Sequence, residues 1–331
     1  MKFSVGYQLF EGFEFIEKII EHKDKISEVY FSFGDFPNGR NNQLKRGDMT
    51  PEAAKEKQIF DLSLLARENI AFNVLFNATC YGKDSQSREF FSRIGDTLDF
   101  ISESFKLGSV TTASPLIAKF VKSNFEGVDV RASVNMGIGS PLGMEYLAEY
   151  FDSFYLGREL NRDFDAIRDI KKWCDENGKG LYALANSGCL NFCSAHTFHD
   201  NLVSHESDIA KMDNGFEFSG VCREFLSKKE NLKRIFDCTN FIRPEDVHLY
   251  EGLFSSMKLA TRVNANPIRV LDSYIKYGRH LGSVFDLCEP NHSGLLRPYI
   301  LDNAYIESEV LNGKLIYSNI KNALISLEDL C

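Results

Sequence analysis

The chain is short of several things, and each shortage excludes a class of function. No uninterrupted apolar run of 18 residues occurs, so no membrane-spanning helix is expected. The opening, Met1-Lys-Phe-Ser-Val-Gly6, runs straight into strand-like sequence without the apolar core and cleavage site of a signal peptide. Positive charge is in deficit. The formal net charge is −9 and the pI is near 5.4, which argues against a bulk nucleic-acid or anionic-membrane binder while leaving room for a local basic pocket. Familiar catalytic signatures are missing too. There is no His-Glu-x-x-His of a zinc protease and no Gly-x-Ser-x-Gly elbow. Cys80 has no evident histidine partner, so a serine or cysteine hydrolase finds no support. No strand is followed by a glycine-rich dinucleotide loop; Met136-Gly-Ile-Gly-Ser140 reads as a turn before Pro141.

What is present suits a large α/β protein. A length of 331 residues allows one barrel or two ordinary domains, and an apolar fraction of 44% with 28 Phe and 13 Tyr supplies a substantial core. Eight cysteines could form disulfides, but a chain with its own core needs no such staples, and a cytoplasmic setting keeps thiols reduced. Metal or cluster ligation is the better use for the four that cluster, Cys189, Cys193, Cys222 and Cys238. Cys80, Cys174 and Cys331 read as incidental.

Strand-like segments at 3–9, 26–33, 71–79, 109–112, 128–134, 153–156, 181–186 and 253–259 alternate with helical periodicity. Thr50 and Pro51 mark one helix start as N-cap and first helical residue. Further helices are expected over 85–105, 141–150, 163–176 and 267–277. Asn38-Gly39, in a polar loop reaching Asn42, carries turn chemistry. Eight strand–helix units predict a closed (β/α)8 TIM-type barrel over 1–280, with a long cysteine-bearing insertion at 187–252 after strand 7. A doubly wound sheet is the alternative. Residues 281–331 are expected to cap the barrel.

Active groups of such a barrel lie at the carboxyl ends of its strands. These ends offer Asn77, Ser114, Asn135, Arg158, Glu159, Asn186, Lys258 and Arg262. Ser114 and Asn135 read equally well as caps or turn residues, whereas Glu159 and Arg262 are charges beside apolar strands that need partners. Beyond strand 7, Cys189 and Cys193 have three residues between them, and Cys222 and Cys238 have 15, enclosing a charged helix over 223–234. Four thiolates suit zinc or an iron–sulfur cluster equally; the bland alternative is four small buried hydrophobes. His196, His199 and His205 follow the first pair. His196 and His199 share a helix face and read as zinc ligands, as packing partners of Phe198, or as acid–base groups.

The run Phe154-Tyr-Leu-Gly-Arg-Glu-Leu160, the cysteines after Ala185-Asn186, Ile242-Arg-Pro-Glu245 and Lys258-Leu-Ala-Thr-Arg262 resemble the collagenase-like peptidase family (unknown-type peptidase family 32). The resemblance covers about residues 1–280. That family includes iron–sulfur proteins of oxygen-independent ubiquinone and RNA hydroxylation. The resemblance implies Arg158 and Glu159 as pocket residues and Cys189, Cys193, Cys222 and Cys238 as ligands of a 4Fe-4S cluster, with zinc the alternative. Ser194 stands where relatives carry proline, and Cys288 competes for one ligand position. The expectation is an iron–sulfur barrel enzyme of oxidoreductive chemistry, including oxygen-independent hydroxylation. Glu159, His196 and His199 are its catalytic candidates. Asn77, Arg158, Arg243, Lys258 and Arg262 would bind a small anionic or aromatic substrate. A zinc-dependent hydrolase or peptidase is one alternative, and a binding or maturation protein with a structural metal is another. A protein partner is left open.

Overall fold

The computed structural model describes residues 1–39 and 49–326. Eight parallel strands close into a barrel in sequence order. They are β1 (Phe3–Gly6), β2 (Ile26–Phe31), β3 (Ala71–Phe76), β4 (Leu107–Thr112), β5 (Asp129–Ala132), β6 (Ser153–Tyr155), β7 (Gly180–Leu184) and β8 (Ser256–Leu259). Closure is made by β8 pairing with β1, Lys258 opposite Ser4. Helices α1 (Glu14–Glu21), α2 (Pro51–Arg67), α3 (Arg88–Ser104), α4 (Pro115–Asn124), α5 (Pro141–Glu145) and α6 (Phe164–Glu176) fill the first six crossovers. The barrel expectation holds, and the doubly wound sheet is set aside.

Local chemistry explains the helix starts. The Thr50 hydroxyl accepts from the Ala53 amide at 3.2 Å with Pro51 behind it, Ser87 caps α3, and Asp163 caps α6, each meeting an amide that has no partner inside its helix. Two expected helices are shorter than predicted. After Glu145 the chain tightens into i→i−3 bonds, Leu147 to Met144 and Tyr150 to Leu147, so the helix expected to 150 ends early. The single charged helix expected over 223–234 is two pieces, α9 and α10 below, because Lys228 is extended between them. Several strands also stop short of the apolar pattern: residues 7–9, 32–33 and 77–79 leave the ladder. The turn at Asn38-Gly39 is described; Arg40, Asn41, Asn42 and Cys331 lie outside the described residues.

The apolar core lies between sheet and helices. Ile16 and Ile19, Leu62 and Leu65, Ile94 and Leu98, Ile167 and Ile170 are buried with outward strand residues such as Val29, Val74, Val130 and Leu181. The inside of the barrel is different. Ser4, Glu28, Asn73, Ser109, Thr111 and Arg131 are all buried there. Glu28 accepts from Ser4 at 2.7 Å, Asn73 at 3.0 Å, Ser109 at 3.0 Å and Arg131 at 2.7 Å. Contacts between β2 and the non-adjacent β4 and β5 can pass only through the interior. Burial pushes the Glu28 carboxyl up, but Arg131 and the hydrogen bonds from Asn73 and Ser4 pull harder, and it titrates below the usual range.

The segment beyond β7 carries α7 (His196–Ser204), α8 (Glu206–Ile209), α9 (Val221–Leu226), α10 (Lys229–Leu232) and α11 (Ile235–Cys238). After β8 come α12 (Pro267–Ile275) and α13 (Ser293–Leu296). The strand β9 (Tyr299–Leu301), the hairpin β10 (Glu307–Leu311) with β11 (Lys314–Ser318), α14 (Ile320–Ala323) and β12 (Leu324–Ser326) complete the order; β12 pairs antiparallel with β9. Among the described residues no helix is long and apolar enough to cross a membrane.

Removing one partner of a buried pair strands the other charge. Arg131→Met should therefore cost about 3–5 kcal/mol in denaturant unfolding at pH 7. Because the Glu28 carboxyl is depressed in the fold, its stabilisation is present above the unfolded value of about 4.3 and is lost as pH falls through the lower folded value. Glu28→Gln should correspondingly flatten the acid limb of the stability curve.

Candidate functional site

The strand ends gather a continuous polar relay across the barrel mouth. Gly39 donates its amide to the Asn77 side-chain oxygen at 3.1 Å after β3. The Asn135 amide nitrogen, past β5, donates to the Asn77 carbonyl at 3.1 Å. Arg158, past β6, donates one Nη to Asn135 Oδ1 at 3.2 Å and the other to Cys189 Sγ at 3.2 Å. Three strand ends and the insertion are thus joined through Asn77, Asn135, Arg158 and Cys189.

The cysteine segment is placed from both sides. Asn186 donates to the Ala260 and Leu287 carbonyls at 2.9 and 2.8 Å and accepts from the Ala260 amide at 2.7 Å, locking β7 to β8 and to the C-terminal segment. Gly188 then runs against that segment: a Cβ there would lie 2.4 Å from the Pro290 carbonyl oxygen and 3.2 Å from Cys288 Cβ, so no side chain is accommodated. Leu190 bridges to Thr239, and the Asn191 amide donates to the Cys238 carbonyl at 2.7 Å. The two ends of the insertion therefore return to one place.

The thiols divide into groups. Burial raises the Cys222 thiol first, and the nearby Cys189 and Cys193 raise it further against main-chain hydrogen bonds, which puts Cys222 near both. Cys238 shares a hollow of about 680 Å³ with Cys193, lined also by Phe192, Val221, Phe225 and Asp237. Its thiol is raised by burial and Asp237 against the pull of Arg234. Cys288 is buried beside the Cys189 segment; burial, Asp286 and Cys189 push it well up, and its sulfur points to the Val284 carbonyl at 3.8 Å. Among the described residues no three His, Cys, Asp or Glu side chains stand as a ready-made metal cage. The donor types nevertheless suit a thiolate-bound group: Cys222 has Cys189 and Cys193 as neighbours, Cys238 lines the same hollow as Cys193, and Arg158 donates to the Cys189 sulfur.

The histidines flank this cluster. His196 Nε2 is 3.2 Å from Asp200 Oδ2 one turn along α7. His199 packs edge-on against Phe218, ring centroids 5.4 Å apart, and a Cβ at Gly220 would lie 3.5 Å from Cys222 Sγ and 4.0 Å from His199 Cε1. Gly220 thus lies between the His199 ring and the Cys222 sulfur. His205 caps the end of α7.

The remaining candidates separate. Ser114 caps α4, accepting from the Ile117 amide at 3.3 Å. Glu159 is half-buried; its main-chain carbonyl accepts from Asn240 at 2.6 Å, anchoring the far end of the insertion. Arg243 is brought elsewhere. Its guanidinium is held by Asp246 at 2.9 Å, Glu245 at 3.2 Å, Asn303 at 3.1 Å and the Ile306 carbonyl at 3.0 Å, a joint to the C-terminal segment. Lys258 and Arg262 stay together, both over the Tyr30 ring at 3.9 and 5.7 Å from its centroid. Glu28, Tyr30, Arg131 and Tyr155 were not among the residues singled out from sequence. The available signal was a charge within an apolar strand, which demands an interior partner.

No protein-family model matches the chain. A protein of Methanocaldococcus jannaschii described as the uncharacterized protease MJ1657 is 26% identical over 316 residues, covering 93% of this chain and 87% of its own length. Among solved structures, the U32 peptidase Mk0906 superposes with a TM-score of 0.56 at 13% identity, over 78% of this chain and 91% of that one. That superposition shows the shared fold. Both matches support the resemblance to the collagenase-like, U32 peptidases read from the sequence. Within this barrel, the cysteine insertion follows the carboxyl end of β7, on the face where the fold concentrates its chemistry.

Thiol accessibility can be checked directly. In metal-free, reduced protein, Cys193 should alkylate about 100-fold faster than Cys174 or Cys288 at pH 8. Cys174 is buried and pushed up to about 11 by burial and Asp175. Peptide mapping by mass spectrometry reads the order, and fast labelling of Cys288 would overturn the placement described.

Proposed function

We propose that this U32-like barrel is an enzyme holding a [4Fe–4S] cluster on Cys189, Cys193, Cys222 and Cys238 at its mouth. Its chemistry on a small anionic or aromatic substrate is read as oxidoreductive, including oxygen-independent hydroxylation. The observation that carries this reading is the Arg158 hydrogen bond to the Cys189 sulfur, with Cys222 near both Cys189 and Cys193. Such a cluster supplies one-electron transfer when bound.

The chain's own residues would do the rest. Arg158 donates to the Cys189 sulfur, an outer contact of the kind that tunes a thiolate site. Arg262 offers a forked guanidinium to a carboxylate or phosphate, with Lys258 beside it. His199, across Gly220 from Cys222, and His196, 3.2 Å from Asp200, are the proton-transfer candidates, with Glu159 in the short turn after β6 as the third catalytic candidate. The relatives' names, a protease and a peptidase, favour a second reading as a peptidase, which with zinc on these thiols would require an open coordination position on the metal.

Anaerobic purification followed by iron, acid-labile sulfide and zinc analysis decides between them. About four iron and four sulfide per chain, lost in Cys189→Ala and Cys222→Ala, is the expected outcome. Stoichiometric zinc without sulfide would overturn the redox reading in favour of a hydrolase or a structural metal. Folded anaerobic protein without metal would remove both.

A further inference from the structure

Lys258 is buried inside the barrel, and among the described residues no carboxylate meets its amine at ion-pair distance. It occupies the penultimate position of β8, opposite Ser4 on β1 and Leu184 on β7, and keeps 7% of its surface exposed. Its amine lies 3.9 Å from the centroid of the Tyr30 ring and 5.2 Å from that of Tyr155. Among the described residues it donates no hydrogen bond and pairs with no carboxylate. A lysine with a merely packing role extends its head to water; this one is turned into the barrel, where a lone ammonium is costly. The Tyr30 hydroxyl donates to the Leu259 carbonyl at 2.7 Å, which fixes the ring beneath the amine.

We propose that Lys258 is a nucleophile that captures a small carbonyl compound bearing an anionic group, such as a 2-oxo acid, as an imine at the barrel mouth. The proposal shares the mouth with the function proposed above but uses none of its cysteines. The charged groups around the amine come from four directions: Glu28 on β2, Arg131 on β5, Arg262 past β8, and Glu289 in the C-terminal segment. Burial lowers the amine first, and Arg262 and Arg131 lower it further against the opposing pull of Glu28 and Glu289, bringing it to about 7. A large neutral fraction is then present at neutral pH, the condition that activates a lysine towards carbonyls.

The step balances without a co-reactant. The neutral Nζ attacks the carbonyl carbon, a C–N bond forms, and the two nitrogen protons leave with the carbonyl oxygen as water, giving the imine. No electron is gained or lost. The positive charge of Arg262 complements the carboxylate of the captured molecule.

The test uses the full chain with glyoxylate as probe and cyanoborohydride to reduce any imine to a stable carboxymethyl amine, read by peptide mapping. Lys258 should label about 10-fold or more faster than the exposed Lys172 at pH 7, an advantage that follows from its larger neutral fraction. Its labelling rate should fall as pH drops below 7. Lys258→Arg should abolish labelling of that peptide and leave Lys172 labelling unchanged, with a thermal melt confirming the fold. Labelling of Lys258 no faster than Lys172, or none at all, would overturn the proposal. Metal content is measured separately, so failure here leaves the cluster reading standing and failure of the cluster leaves the lysine result intact.

Discussion

The Glu28 carboxylate meets the Arg131 guanidinium at 2.7 Å inside the barrel, and the rest of the structure depends on that contact. A closed barrel of this size fills its interior with side chains. Here the filling is polar, so every member must be satisfied or pay the cost of dehydration. Ser4, Asn73 and Ser109 complete the carboxylate's shell, while Asp129 and the Tyr182 ring hold the arginine. The network spans six strands and sets the electrostatic floor on which Lys258 and Tyr155 rest.

Above that floor the chain builds its mouth from side chains that reach from one strand end to the next. Asn77, Asn135 and Arg158 form one arc that ends on a cysteine sulfur. Asn186 forms the other, tying β7, β8 and the C-terminal segment together. The insertion is fixed at both ends, by Gly188 against Pro290 and by Arg162, which donates to the Phe236 and Thr239 carbonyls. Asn161, buried beneath it, donates to the Leu184 and Asn240 carbonyls. A long insertion pinned at both ends loses less entropy when its thiols are brought to a common centre. The C-terminal segment takes part in the same construction, since Arg243 binds Asn303 and Ile306 and Cys288 packs beside the first cysteine.

The barrel was legible in the sequence because its local signals agreed. Apolar strands alternated with helices that Thr50-Pro51, Ser114-Pro115 and Asp163 began at the right places, and parallel pairing follows from that alternation. Strand ends and helix lengths were less legible, because residues such as Asn77 and Thr79 continue an apolar run yet bond outside the ladder. Arg158 and Arg243 show the limit for sites. Both are arginines close to strand or insertion ends, but one reaches a sulfur at the mouth and the other a joint to the C-terminal segment.

The residues alone therefore determined the alternation, the helix starts, the concentration of thiols after strand 7 and the need of certain charges for partners. These depend on neighbours a few residues apart. Only the tertiary structure decided which partners those charges found, that Cys222 lies near Cys189 and Cys193, and that Lys258 is buried against Tyr30 rather than solvated. Those outcomes depend on strands far apart in the chain meeting across one closed barrel, a relation that spacing along the sequence does not encode.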